Sequence, residues 1–109
     1  MYVGVLEVQI KIYEAFNLKD KRRIIKSTFD KVSKIYNFSC AEVENLDMIN
    51  LGSLGFSCVS NSHKHLEERL DQLIKFLDDD YRFEIINLER EIINVNYWWR
   101  VKRSIRYFK

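Results

Sequence analysis

The stretch of this sequence best suited to binding chemistry is a basic segment between residues 19 and 34. It holds seven cations and two acids, for a net charge of +5. The cations are Lys19, Lys21, Arg22, Arg23, Lys26, Lys31 and Lys34. Four of them lie away from the apolar stripe of a predicted helix and can contact a phosphate backbone; these are Lys19, Arg23, Lys26 and Lys34. A solvated basic helix face is the alternative interpretation, and it is common.

A second basic segment, residues 94–109, mixes cations with aromatic rings and contains no acid. Its five cations are Arg100, Lys102, Arg103, Arg106 and Lys109, and its rings are those of Tyr97, Trp98, Trp99, Tyr107 and Phe108. Bases can stack on such rings while the cations hold phosphates. The predicted nucleic-acid contacts here are Trp98, Trp99, Arg100, Lys102, Arg103 and Arg106.

Other interpretations of residues 94–109 remain open. As a helix, the segment has an apolar stripe suited to a membrane interface or a partner protein. As a strand, it simply prolongs the last strand of the fold. It can equally pack on the protein itself or on a second copy.

Catalytic and metal-binding signals are weak. Four carboxylates predicted near one sheet face, Glu7, Glu42, Glu44 and Glu89, have the chemistry to bind a hard cation or to act as acid and base. Nothing in their spacing brings them together, and solvated acids on sheets are far commoner. The sequence therefore predicts no catalytic residue, no metal site and no cofactor, with a carboxylate enzyme as the third-ranked alternative.

The histidines and cysteines add little to this. His63 and His65 are two residues apart in a predicted helix and point in different directions, whereas a helical metal pair is spaced by four. Cys58 is predicted to face the core and Cys40 to face outward, so the two should not pair. The chain has no glycine-rich phosphate loop, CxxC pair or nucleophile elbow.

The elements that must position these residues begin with a strand over residues 2–12, where apolar and polar residues alternate. A helix over residues 18–36 follows, with Asn17 as its N-cap; Asp20 can reach back as in a capping box or lie favourably at the positive end of the helix. Strands over residues 38–46 and 51–60, a helix opening at Asn61-Ser62 and a strand over residues 81–93 complete the chain. Within the second strand, Ala41 and Val43 are predicted on one side and Cys40, Glu42 and Glu44 on the outward side. Within the last strand, alternation predicts Ile86 and Leu88 on one face and Phe83, Ile85, Asn87 and Glu89 on the other.

The order βαββαβ predicts a ferredoxin-like α+β sandwich, with four antiparallel strands and both helices on one face. Residues 1–93 are predicted to form this domain and residues 94–109 a C-terminal extension. The sheet face away from the helices has acids and lacks aromatic residues at its central positions, so we reject RNA binding there. That face is instead predicted to receive a second subunit or the basic segment.

The length and composition of the chain agree with a small globular protein. Of the 109 residues, 47% are hydrophobic and none is proline. No apolar run approaches the roughly 20 residues that cross a bilayer, and the N-terminus does not resemble a signal peptide. With only two cysteines, the default expectation is a cytoplasmic protein.

Several short motifs resemble a family of small bacterial proteins. These are Val3-Gly4-Val5-Leu6, the helix opening Asn17-Leu18-Lys19-Asp20-Lys21-Arg22-Arg23, Ala41-Glu42-Val43, Val59-Ser60-Asn61 and Glu89-Arg90-Glu91-Ile92. Together they resemble the YlxP-like family of unknown function over about residues 1–93. The resemblance implies a ferredoxin-like fold, a gene neighbourhood often shared with translation and ribosome-maturation factors, and no established activity.

The sequence thus favours a non-enzymatic protein that binds RNA or a ribosomal surface and forms a homodimer. The runner-up is a homodimeric interaction or structural module that does not bind nucleic acid.

Overall fold

The computed structural model describes residues 1–95. The elements are β1 (Tyr2–Ile12), α1 (Leu18–Lys31), a π-helical turn (Val32–Tyr36), β2 (Ser39–Glu44), β3 (Leu51–Ser60), α2 (His63–Asp78) and β4 (Phe83–Asn94). Their order and type match the sequence prediction. The predicted residues 94–109 extension falls mostly outside the described part of the chain.

The four strands form one antiparallel sheet in the order β2-β3-β1-β4. β1 is therefore central and pairs along its whole length, with β3 on one side and β4 on the other. The buried residues of β1, α1 and α2 belong to one core, so both helices pack on the same face of the sheet. This is the predicted ferredoxin-like sandwich.

Strict alternation in β1 builds the floor of that core. Leu6, Val8, Ile10 and Ile12 are buried, while the intervening residues face the other side of the sheet. Gly4 continues the inward series, and a Cβ placed there would lie 2.9 Å from Leu66 Cδ1. Because only glycine leaves this space, α2 can pack directly on the backbone of β1.

Both helices begin at side-chain caps. Asn17 Oδ1 accepts a hydrogen bond from the Asp20 N–H at 2.8 Å, and Asp20 Oδ2 accepts one from the Phe16 N–H at 3.3 Å. Ser62 Oγ accepts a hydrogen bond from the His65 N–H at 3.2 Å. These contacts satisfy backbone donors that have no partner within the helix. The predicted N-cap is confirmed, and Asp20 reaches back to the N–H of Phe16, one residue before the cap, rather than to that of Asn17.

The first helical segment ends in a π-helical turn that periodicity does not reveal. A π turn holds one more residue than an α turn, so the residues after Val32 rotate relative to the apolar stripe, and Ile35 is 67% exposed. Asn37 ends the turn in the left-handed conformation, with φ 57°. The Arg69 guanidinium of α2 donates to the carbonyls of Tyr36 and Asn37, at 3.3 and 3.1 Å, and so satisfies this helix end.

The predicted orientation of β2 is wrong. Cys40 pairs with Phe56 and Glu42 with Leu54, so both face the helices, whereas Ala41 pairs with Gly55 on the opposite face. The preceding Phe38 is buried in the core. Because side chains alternate along a strand, burying Phe38 sends residues 40 and 42 inward as well.

The predicted alternation of β4 is also wrong in its first half. Phe83 pairs with Ile12 and Ile85 with Ile10, so both face the core rather than the opposite side. A bulge at Ile86 shifts the register between these pairs and the Leu88–Val8 pair. One extra residue in the strand lets Leu88 face the core as well.

Hydrogen bonds from Arg82, the residue before β4, connect the start of this strand to α1. Arg82 donates to both carboxylate oxygens of Asp80, at 2.7 to 3.2 Å, and to the hydroxyls of Ser27 and Thr28, at 3.3 and 3.2 Å. Burial alone would raise the pKa of Asp80. Hydrogen bonds from Arg82, together with the charges of Arg82 and Lys31, outweigh burial and hold this pKa below its ordinary value of 3.8.

Asp80→Asn should lower the free energy of unfolding at neutral pH by about 1.5–3 kcal/mol, the typical value for hydrogen bonds to charged groups. A folded-state pKa below the unfolded-state value stabilises the fold above the unfolded pKa and loses that effect as pH falls through the folded pKa. The difference between wild type and variant should therefore shrink below about pH 4. Urea denaturation across pH measures it, and a difference that is constant across this range would contradict the account.

Candidate nucleic-acid interface

The candidate interface is the side of α1 that points away from the sheet. The buried residues of α1 and its π-helical turn are Lys21, Ile25, Thr28 and Val32, which share one face. Lys19, Arg23 and Lys26 follow one another at helical spacings of four and three on the opposite face, and all three are exposed. Lys34, in the π-helical turn, is exposed as well.

These cations are not neutralised by neighbouring acids within residues 1–95. No carboxylate oxygen of that part of the chain lies within 4.0 Å of the Lys19, Arg23, Lys26 or Lys34 side chains. Asp30 is the one exposed acid of α1 on this side, four residues after Lys26 and four before Lys34. The four predicted residues and Asp30 together carry a net charge of +3.

Lys21 does not belong to this surface, although the sequence interpretation counted it in the basic segment. Its side chain is 1% exposed, and Nζ lies 2.6 Å from the Asn45 carbonyl oxygen and 2.9 Å from Glu42 Oε2. The spacing contains a signal for this burial. Residue 21 lies three positions after Leu18 and four before Ile25, on the apolar stripe itself.

The six predicted contacts of the C-terminal segment lie outside the described residues. They are Trp98, Trp99, Arg100, Lys102, Arg103 and Arg106. Their predicted role stays a prediction.

The carboxylates weighed as an alternative site are divided between the two faces of the sheet. Glu7 and Glu89 are directly paired across β1 and β4 on the open face, the face turned away from the helices. Glu42 faces α1 and contacts Lys21, and Glu44 is exposed at the end of β2. Within residues 1–95, no three histidine, cysteine or acidic side chains are grouped so that they could hold a metal ion.

The open face has a third acid that the sequence interpretation did not include. Glu91 pairs with Val5, next to the Glu7–Glu89 pair. These acids border a groove of about 890 Å³ that also contacts Val43 of β2. The three carboxylates make this face electrostatically unfavourable for phosphate.

Neither cysteine has the environment of a nucleophile. Burial raises the pKa of the Cys40 thiol more than its hydrogen bond with Ser33 lowers it. Burial also raises the pKa of the Cys58 thiol more than the charge of Arg69 lowers it. A raised pKa suppresses the reactive thiolate. His63 contacts Glu67 at 3.2 Å and packs edge-on against Tyr2.

Sheet order, helix placement and an exposed basic helix define a ferredoxin-like α+β protein with a candidate anion-binding face. The family described as "Protein of unknown function (DUF503)" matches residues 3–90. The chain belongs to this family. It is 32% identical over 76 residues to the uncharacterized protein YlxP of Bacillus subtilis (strain 168), which covers 70% of this chain and 83% of that protein. The YlxP-like resemblance is thereby confirmed.

A solved structure is also similar in outline. A dimeric ferredoxin-like protein from an uncultured marine organism aligns with 88% of this chain and 99% of its own, at 10% identity and a TM-score of 0.46.

Among residues 1–95, neither helix combines the length and apolar character needed to cross a membrane.

Proposed function

We propose that this protein is a cytoplasmic, non-catalytic binding protein whose α1 face holds the phosphate backbone of RNA, either free or on a ribosomal surface. The observation that carries the proposal is the set of exposed cations on one side of the first helical segment, with no carboxylate of residues 1–95 in contact; these are Lys19, Arg23, Lys26 and Lys34.

The spacing of these cations suits a polyanion. An α-helix rises about 1.5 Å per residue, so Lys19 and Arg23 are separated by roughly 6 Å along the axis, and Lys19 and Lys26 by roughly 10 Å. Cations in a row can contact successive phosphates of one strand. Phosphate contacts position a nucleic acid without reading its bases, so the expected binding is insensitive to sequence.

The rigidity of α1 supports the same function. Its start is fixed by the Asn17 cap, and its end is held through Arg69 and through Arg82, which binds Ser27 and Thr28. The buried Lys21–Glu42 contact fixes its first turns against β2. Because the helix is preorganised, its cations lose less conformational freedom on binding than cations on a loop.

Fluorescence anisotropy with a labelled single-stranded RNA tests the proposal. The variant Lys19→Gln, Arg23→Gln, Lys26→Gln, Lys34→Gln should lose most of its affinity, because it removes four positive charges from one face. A control on α2, Lys64→Gln with Lys75→Gln, removes two exposed cations away from the proposed face and should bind as wild type does. Equal affinity of all three proteins, or no binding by wild type, would overturn the proposal.

The second candidate function is a homodimeric interaction module, and exposed apolar side chains on the open face favour it. Val43, Val59 and Ile93 are 45%, 59% and 43% exposed. Two such faces would bury these side chains on contact. The same contact would bring two sets of Glu7, Glu89 and Glu91 together, which disfavours it. A concentration-dependent dimer without RNA affinity would support this module over the first proposal.

A further inference from the structure

The open face of the sheet has an apolar end and an acidic middle. The apolar end lies where β4 leaves the sheet and consists of Val3, Val59 and Ile93, which are directly paired across three strands. The acids Glu91, Glu89 and Glu7 follow further along β4 and β1. At the far end, Lys11 pairs with Glu84, so those charges cancel. The middle of the face therefore keeps a charge of −3.

Direct pairing of Glu7 with Glu89 places like charges opposite each other, which is unfavourable in a sheet. A cationic occupant would relieve this repulsion. A second copy of the same face would increase it. Charge thus favours a basic partner for the open face over face-to-face dimerisation.

A basic segment of this kind follows β4 directly in the same chain. Residues 96–109 carry five cations and no acid. They follow Val95, whose N–H donates to the Met1 carbonyl oxygen at 2.9 Å, beside the apolar end of the face. The order of residue types also matches the order on the face. The rings of Tyr97, Trp98 and Trp99 come first, and the cations begin at Arg100.

The length of the segment is sufficient. Fourteen residues can extend to roughly 46 Å, whereas Glu91 and Glu89 lie only about 13 and 20 Å back along β4 from Val95, at about 3.3 Å per residue. The segment can therefore turn and reach every acid of the face. A short tether also gives the segment a high effective concentration at its own sheet, which favours docking within one molecule.

We propose that residues 96–109 dock on the open face of their own sheet, with the aromatic residues on the apolar end and the cations on Glu7, Glu89 and Glu91. Docking of this kind covers the apolar side chains that the open face exposes. The open face and α1 lie on opposite sides of the sheet, so docking of the segment does not depend on RNA binding by α1.

Tryptophan fluorescence of the full chain reports this docking without a label, because both tryptophans of the protein, Trp98 and Trp99, lie in the segment. Docked rings should emit at shorter wavelength than a free tryptophan derivative and be shielded from acrylamide. Glu7→Gln, Glu89→Gln, Glu91→Gln should shift the emission to longer wavelength and increase quenching. Val59→Lys, which places a charge at an exposed apolar position, should do the same.

A matched control removes three exposed acids from the helical side: Asp30→Asn, Glu68→Gln and Asp78→Asn. It should leave the emission unchanged, and circular dichroism should show that every variant is folded. Unchanged emission in both open-face variants would overturn the proposal. So would an emission that moves to longer wavelength on dilution, because that result places the segment on a second copy.

The test is independent of RNA binding. The α1 variant with four glutamines should keep the wild-type emission, and the open-face variants should not lose RNA affinity, because they leave the α1 cations in place. If deletion of residues 96–109 lowers RNA affinity while the open-face variants leave the emission unchanged, the segment contacts RNA and the docking proposal fails. If the four glutamine substitutions leave the RNA affinity unchanged while the emission responds as described, the RNA proposal fails and the docking proposal stands.

Discussion

Lys21→Ala should lower the free energy of unfolding by about 3–5 kcal/mol, the typical cost of removing one member of a buried ion pair. Lys21 is 1% exposed, and the side chain of its partner Glu42 is 18% exposed. Without the ammonium group, the Glu42 carboxylate would stay largely buried with no compensating charge. The Asn45 carbonyl oxygen, 2.6 Å from Nζ, would lose its side-chain donor as well. Urea denaturation of the purified variant measures the change.

Two controls separate the ion pair from general effects of truncation. Lys26→Ala removes an exposed lysine of the same helix and should change stability by less than about 0.5 kcal/mol. The double variant Lys21→Met, Glu42→Met should recover much of the loss, because apolar residues of similar volume often replace a buried pair at little cost. A Lys21→Ala variant as stable as Lys26→Ala would contradict this description of α1 and β2.

The affinity of the wild-type protein for single-stranded RNA should fall roughly 50-fold between 50 and 200 mM salt, because four phosphate contacts give a slope near −2.8 in the logarithms of affinity and salt. Each contact releases condensed counterions, and added salt opposes that release. Lys19, Arg23, Lys26 and Lys34 would supply the contacts. Anisotropy titrations at several salt concentrations measure the slope.

The titrations use sodium chloride at constant pH, and circular dichroism checks that the protein stays folded throughout the salt range. An affinity that does not depend on salt would mean that stacking or apolar contacts hold the RNA. In that case the α1 face is not the binding surface.

The architecture could be predicted from the sequence because its main signals are local. Alternation in β1 and helical spacing in α1 and α2 each follow from the burial of one face of one element. Three of the exposed cations of the candidate interface were predictable for the same reason. Helical spacing alone puts Lys19, Arg23 and Lys26 opposite Ile25 and Val32.

The errors arose where a contact between distant residues overrides the local pattern. In β2, Ala41 and Val43 look like core residues, but buried Phe38 sets the register and Lys21 compensates for an inward Glu42. In β4, the bulge at Ile86 breaks an alternation that the sequence read as continuous. The error in β2 matters for function, because it placed Glu42 on the open face, whereas Glu42 faces α1 and contacts Lys21.

The pairing of acids on the open face was only partly predictable. Glu7 and Glu89 were placed on this face from alternation, but their direct contact depends on strand register, which sequence spacing does not define. Glu91 lies two residues after Glu89, so the same alternation places it on this face, although the sequence interpretation did not include it.

The most direct test of the central idea, that α1 holds a phosphate backbone, compares the salt slope of wild type with that of the variant in which Lys19, Arg23, Lys26 and Lys34 are glutamine. We predict that the slope of the variant is smaller in magnitude by about 2.8, the contribution of four phosphate contacts to a single strand. An unchanged slope would show that the cations on α1 do not contact the RNA, and it would contradict the proposed function.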